Sequence, residues 1–146
     1  MEHAIDNQTR VTSLRTTEAE VSMPAYQAYL ILRTAFTVAP MVAGLDKFFN
    51  LLVNWEQYLP SFVKRLSGGH GHELMLAVGV IEIIAGVGVF VKPKVFAYVV
   101  SAWLLLIVVN LLMIPGYFDV ALRDFGLALG ALALARLSSQ FDRRAS

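Results

Sequence analysis

The sequence predicts an all-α integral membrane protein, a bundle of four membrane-spanning helices with an amphipathic interfacial segment in its long first loop. The first observation is composition: 57% of the 146 residues are hydrophobic and 16% are charged, against about 25% charged in soluble domains. The second is a succession of four apolar segments separated by polar turns. Small domains leave much of their area exposed, so a soluble chain of this length has no means of hiding so much apolar surface.

Composition also excludes several classes of function. The net charge is only +1, which gives no basic surface for nucleic acid. The chain contains no cysteine. Disulfides, thiolate metal sites, covalently attached haem and catalytic thiols are therefore excluded.

Each apolar segment is long enough to cross a membrane. About 20 residues at about 1.5 Å rise cover the hydrocarbon core of about 30 Å. The predicted spans, within a membrane domain of residues 25–138, are residues 26–45, 73–91, 95–114 and 117–137. The alternative is a soluble four-helix bundle. The third segment argues against it because that segment has no polar face for water.

The flanking residues predict how the protein is oriented. Residues 1–24 are polar and of mixed charge, which is typical of a mobile tail, and residues 139–146 form a second, shorter tail. Seven basic residues flank the spans on the side of the two tails and three on the other: Arg10, Arg15, Lys92, Lys94, Arg136, Arg143 and Arg144 against Lys47, Lys64 and Arg65. The positive-inside rule then places both termini in the cytoplasm.

The loop of residues 46–72 has apolar residues at helical spacing. They are Phe48, Leu52, Trp55, Leu59, Phe62 and Leu66. We expect a short amphipathic element on the outer membrane face, where tryptophan and tyrosine settle at headgroup depth. It could cap a cavity between the spans, or it could be an interfacial anchor with no cavity beneath it.

The polar residues within the spans are the candidate ligand-binding or proton-relay groups. Glu82 lies near the middle of the second span and shares a face with Gly79 and Gly86. Small residues let helices approach closely, so this face is predicted to point inward. In the first span Arg33 shares a face with Gly44. A buried carboxylate without a partner would be protonated, whereas one beside an arginine would stay ionised.

The third and fourth spans supply the other candidates. Asn110 lies in the outer half of the third span. Arg123 lies in the fourth, with Asp119 one turn before it and Asp124 beside it. Asp119 and Arg123 can pair within their helix. Arg33 and Arg123 are both long enough to reach Glu82, and the sequence leaves open which of them does.

Two histidines raise the question of a metal site. His70 and His72, with Glu73, form the sequence GGHGHE, and imidazole and carboxylate suit zinc or copper. Two histidines in a glycine-rich loop are more often solvated, and no metal is assigned. No histidine lies within a span. Because haem in a bundle usually needs axial histidines, intramembrane haem is not expected.

Several segments resemble one family. They are LRTAF and GLDKF in and after the first span, GVIEIIAGVGVFV in the second and DVALRDFGLALGALALARL in the fourth. Over about residues 26–138 the chain resembles the DoxX-like family of small four-span bacterial membrane proteins. The resemblance implies the bacterial cytoplasmic (inner) membrane and a component linked to redox work, since the family's named member is similar to a subunit of a thiosulfate:quinone oxidoreductase. It carries over no catalytic residue.

Three functions follow, and whether the chain is an enzyme is left open. The first is an accessory or quinone-interacting subunit of a membrane redox assembly, in which Glu82, Arg33, Arg123 and Asn110 bind a quinone head or relay its protons. The second is a small proton-coupled transporter with Glu82 as the coupling site. The third is a structural anchor or assembly factor. Besides lipid, the expected partners are other redox subunits or a second copy of the chain.

Overall fold

The protein is all-helical in the part of the chain that the structure describes. The computed structural model describes residues 2–141, with the side chains of residues 2–9 and 14–22 excepted. Five α-helices and one short 3-10 helix (Trp55–Tyr58) follow one another: α1 (Glu2–Phe49), α2 (Ser61–Leu66), α3 (Gly71–Val91), α4 (Pro93–Leu112) and α5 (Phe118–Phe141). No strand occurs among these residues, so the predicted fold class is confirmed as all-α.

Three helices are long and apolar enough to cross a membrane: the Met23–Phe49 part of α1, α3 and α4. These three confirm a multi-span membrane protein. Helix α5 is not among them, because charged residues such as Arg123 and Asp124 lower its hydropathy. It packs along α4, where the Ser101 hydroxyl donates to the Ala128 carbonyl at 2.9 Å. That α5 is a fourth span stays a prediction.

Helix α1 extends beyond the predicted span at both ends. It begins at Glu2, so residues 2–24, predicted as a tail, continue the helix, because extending a helix costs less than nucleating one. Whether this segment moves is a separate prediction. The helix also continues past residue 45 to Phe49. Helix α5 likewise ends at Phe141, three residues into the tail predicted for residues 139–146, and the rest of that tail lies outside the described residues.

Glycines bring α1 and α3 into close contact. A Cβ added to Gly44 would stand 2.5 Å from the carbonyl oxygen of Gly79, and one added to Gly79 would stand 2.7 Å from that of Gly44. One added to Gly86 would stand 2.7 Å from the carbonyl oxygen of Thr37. Real side chains do not approach so closely. The inward orientation predicted for these glycine faces is therefore confirmed.

The four long helices form two closely packed pairs, α1 with α3 and α4 with α5. The pairs join at the end where α3 meets α4, which we call the turn end. The core there consists of Tyr29, Phe36, Ala85, Val89, Ala97, Val100, Ala131, Leu134, Ala135 and Phe141. Toward the opposite end, the capped end, a cavity separates the pairs.

The segment of residues 50–66, which we call the cap, covers that opposite end. It is a broken amphipathic element and not one continuous helix. Asn50 ends α1 with a left-handed φ of 50°, and Pro60 separates the 3-10 helix from α2. Leu59 is buried, whereas Leu51 and Leu66 are exposed. Exposed leucines beside a buried one fit an element that lies at a membrane interface.

Candidate functional site

A cavity of about 820 Å³ lies between the two helix pairs. All four long helices and the cap contribute to its walls, which are mainly apolar. Of the two alternatives for the long loop, a cap over a cavity is therefore the one that the structure contains. The polar and aromatic residues of the walls are Phe36, Lys47, Trp55, Tyr58, Glu82, Trp103, Asn110, Arg123 and Asp124.

Glu82 pairs with Lys47, and neither of the two arginines considered from the sequence contacts it. Lys47 Nζ lies 2.6 Å from Glu82 Oε2, and the two side chains are only 2% and 11% exposed. The sequence prediction was wrong because it ended the first span at residue 45 and placed Lys47 in the outer loop. The extra turn of α1 carries Lys47 on the face of Gly44, three residues earlier, and so against α3.

The Lys47 ammonium is also covered by an aromatic ring. Its Nζ lies 3.6 Å from the centre of the Trp55 ring, a cation–π contact of the kind that strengthens when water is removed. The Trp55 indole N–H donates to Asp46 Oδ2 at 2.7 Å. Asp46 Oδ1 accepts from the backbone N–H groups of Leu51 and Leu52 at 2.9 and 3.0 Å. Asp46 therefore holds the residues that follow α1 against the helix and positions Trp55 over the ion pair.

Trp103 approaches the same carboxylate from α4. Its indole N–H is buried and makes no hydrogen bond within the described residues. Trp103 and Glu82 both line the cavity. Neither Trp103 nor Lys47 was among the candidates taken from the sequence. The only signal for Trp103 was its helical spacing from Asn110, which places both on one face of α4.

Arg33 lies at the turn end and takes no part in this cluster. Its Nη2 donates to the Phe90 carbonyl at 2.6 Å, and its guanidinium carbon is 5.6 Å from the centre of the Phe90 ring. It therefore caps the last turn of α3, where carbonyls lack helical partners and a cation is favourable. Arg33 and Lys47 are fourteen residues apart, or roughly 21 Å along α1. Arg33, one of the two candidate partners for Glu82, therefore lies too far from it to pair.

Arg123 pairs with its neighbour Asp124 rather than with Asp119 or Glu82. Its Nε lies 3.3 Å from Asp124 Oδ1. The Asp124 side chain is buried, whereas that of Arg123 is 68% exposed. Asp119 is exposed and makes no ion pair within the described part of the chain. Asp124 and Glu82 both line the cavity.

Asn110 connects α4 to the cap. Its Nδ2 donates to the Tyr58 carbonyl at 2.9 Å, and the ring of Tyr58 packs edge-on against Tyr117, with centres 5.2 Å apart. The side-chain nitrogen of Asn110 is thus engaged in holding the cap. Asn110 also belongs to the cavity wall.

The two histidines lie apart from the cavity. His70 Nδ1 is 3.2 Å from Glu73 Oε1, and His72 Nδ1 is 3.4 Å from Glu56 Oε1, with all four side chains exposed. Each histidine therefore has its own carboxylate partner. The described residues contain no group of three or more histidine, cysteine or acidic side chains arranged to hold a metal ion.

The helices and the cavity define the class: the chain is a small multi-span helical membrane protein. Comparison with protein-family models, with curated proteins and with solved structures finds no match. The class consequently rests on the helices themselves, and the resemblance to the DoxX-like family stays a prediction.

Proposed function

We propose that this protein binds a quinone in the cavity and acts as an accessory subunit of a membrane redox assembly. The observation that carries the proposal is the cavity itself. Its volume of about 820 Å³ falls in the range of small-molecule sites, which are mostly apolar with a few placed polar groups. A quinone has that character, with a planar ring, two carbonyl acceptors and an apolar body.

The ion pair supplies the polar recognition in this proposal. An ammonium has three N–H donors, and Lys47 uses one on Glu82 and directs another toward the Ala43 carbonyl at 3.4 Å. A ring carbonyl near the pair would accept from Lys47 in place of that long contact. Trp55 and Tyr58 offer aromatic surfaces beside it, on which a planar ring can stack.

The resemblance to the DoxX-like family supports the same class of ligand, because the family's named member is similar to a subunit of a thiosulfate:quinone oxidoreductase. The chain itself has no cysteine and no group of metal ligands in its described part. In this proposal the electrons therefore come from a partner subunit, and the present chain contributes the site.

A structural role is the second candidate, because the Lys47–Glu82 pair joins α1 to α3 and would stabilise their contact without any ligand. A transporter is less well supported. The core closes the cavity at the turn end, and the cap covers it at the other, an arrangement that favours binding over conduction.

Tryptophan fluorescence tests the proposal directly, because both tryptophans of the chain line the cavity and quinones quench tryptophan on contact. We expect saturable quenching when a decyl-tailed benzoquinone is added to the protein in nanodiscs. Ala43→Phe places a ring at the cavity wall and should abolish saturation.

The matched control is Ala102→Phe, at an exposed position of α4 outside the cavity walls. Its tryptophan fluorescence should be quenched with the same saturation as that of the wild type. Quenching that is linear in quinone and equal in all three proteins would contradict quinone binding and leave the structural role.

A further inference from the structure

The cavity is covered at both of its ends. At the capped end the cap is attached to three long helices, through Trp55 to Asp46 of α1, through Tyr58 to Asn110 of α4 and through Leu59, which packs against Gly71 of α3. At the turn end the hydrophobic core fills the space between the helix pairs. Access to the cavity along the bundle axis is therefore obstructed at both ends.

One side of the bundle is open where α1 faces α5. At the turn end the two helices touch, since a Cβ added to Gly130 would stand 3.2 Å from the ring of Phe36. About one turn farther toward the cap, a Cβ added to Gly126 would meet no atom within 4 Å, although Gly126 still lines the cavity. Arg123, the next residue on this side, has a side chain that is 68% exposed. The two helices thus separate beyond Gly130.

Helix α1 contributes three alanines to the cavity wall. Ala35, Ala39 and Ala43 recur every four residues and all line the cavity, and Ala35 and Ala39 are exposed. Ala39 and Ala43, which lie on the cap side of Phe36, leave with Gly126 a gap that extends about 6 Å along α1, at about 1.5 Å per residue. The gap lies within the Met23–Phe49 span, so it faces the hydrocarbon of the bilayer.

We propose that this gap is a lateral portal, occupied by the alkyl or isoprenoid tail of the molecule whose head lies in the cavity. The inference rests on the proposed function for the identity of the head. What the inference adds is the route by which the ligand enters. The ligand arrives from the bilayer, and the tail of the ligand passes between Ala39 and Gly126. A hydrocarbon tail fits because the sides of the gap are apolar. Arg123 marks the end of the gap nearer the cap, where its exposed guanidinium can reach headgroup depth.

Two ligands with the same benzoquinone head separate the portal from the head site. One has a decyl tail and the other has no tail. Gly126→Phe fills the gap, so we expect it to weaken binding of the decyl ligand about tenfold, the equivalent of about two methylene groups of lost burial. Affinity for the tail-less ligand should change less than about twofold, because the head site is untouched. Both affinities are measured by quenching of the two tryptophans.

Two matched variants accompany Gly126→Phe. Gly126→Ala adds a methyl where space exists and should bind both ligands like the wild type. Ala133→Phe adds a ring at an exposed position of α5 outside the cavity and should also leave both affinities unchanged. Thermal unfolding establishes that all three variants are folded.

The outcomes separate the two proposals. If the folded Gly126→Phe protein binds the decyl ligand as tightly as the wild type does, the portal is wrong while the head site stands. If it loses both ligands equally, the gap does not discriminate tails and the portal is again wrong. If the wild type binds neither ligand, the proposed function fails and the portal fails with it.

Discussion

At the scale of single residues, the unusual group is a carboxylate in an apolar helix. Glu82 is tolerated because Lys47 lies 2.6 Å from it and Trp55 covers the ammonium. A buried ion pair adds little to the free energy of unfolding compared with a well-packed apolar pair. Removing one partner, however, leaves an unpaired buried charge at a cost of about 3–5 kcal/mol. The pair therefore specifies how α1 and α3 are aligned more than it adds stability.

We predict that Glu82→Leu or Lys47→Leu alone lowers the free energy of unfolding by about 3–5 kcal/mol. The double variant should lose less than either single one, since no unpaired charge then remains. Unfolding in mixed micelles measures this as a double-mutant cycle. Lys94→Leu, at an exposed lysine, is the control and should change stability by less than about 0.5 kcal/mol. Additive losses from the two single changes would mean that the residues do not interact.

Asp46 should determine the position of Trp55. In a Trp103→Phe background, Trp55 is the only tryptophan, so its emission reports on the cap alone. Asp46→Ala removes the acceptor of the indole N–H and of two backbone N–H groups. We expect acrylamide to quench Trp55 more strongly in this variant, because the ring leaves the ion pair. The control is Ser67→Ala in the same background, which removes a hydroxyl outside the cavity walls. Acrylamide should quench its Trp55 as it does in the parent protein.

The residues themselves show how far the sequence was informative at this scale. Glu82 and its inward face were predictable because Gly79 and Gly86 share that face. Lys47 was not, because a run of polar residues after Leu45 is typical of a loop, and nothing local shows that α1 continues. Asp119 was assigned to Arg123 by helical spacing alone, whereas the adjacent Asp124 is the buried acid.

At the scale of elements, the apolar segments located the long helices well. The predicted second and third spans, residues 73–91 and 95–114, agree with α3 and α4 to within two residues. The cap was predictable in its amphipathic spacing but not in its break. That break depends on Asn50 and Pro60, and the hydrophobic period carries no information about either.

The glycine contact between α1 and α3 gives a matched pair of substitutions. Gly44→Ala places a methyl 2.5 Å from a backbone carbonyl, and we expect it to destabilise the protein by about 1–3 kcal/mol because the helices must separate. Gly126→Ala meets no neighbour and should stabilise by up to about 1 kcal/mol through helix propensity. Unfolding in mixed micelles measures both. Equal effects would show that the helices do not touch at Gly44.

At the scale of the whole molecule, the divergence of the two helix pairs creates the cavity. This feature was beyond the sequence, because it depends on how steeply the pairs tilt from each other, and hydropathy does not encode tilt. The sequence did predict the number of long helices and their order. It also predicted that the loop could cover a cavity, but not that one exists.

The absence of cysteine makes the topology directly measurable. We expect a membrane-impermeant maleimide to label His70→Cys in intact cells, and to label Lys94→Cys and Gln140→Cys only after the membrane is opened, as positive-inside predicts. Labelling of Gln140→Cys together with His70→Cys would show that α5 does not span. Labelling of Lys94→Cys and Gln140→Cys, but not of His70→Cys, in intact cells would show the reverse orientation.

The central claim is that the cavity holds a membrane-derived small molecule. Native mass spectrometry of the protein, extracted gently from its own membranes, tests this most directly. The account predicts a bound species with the mass of a quinone on the wild type and on Ala102→Phe, and its loss from Ala43→Phe. A wild-type protein that carries no such species, or an adduct retained equally by Ala43→Phe, would contradict it.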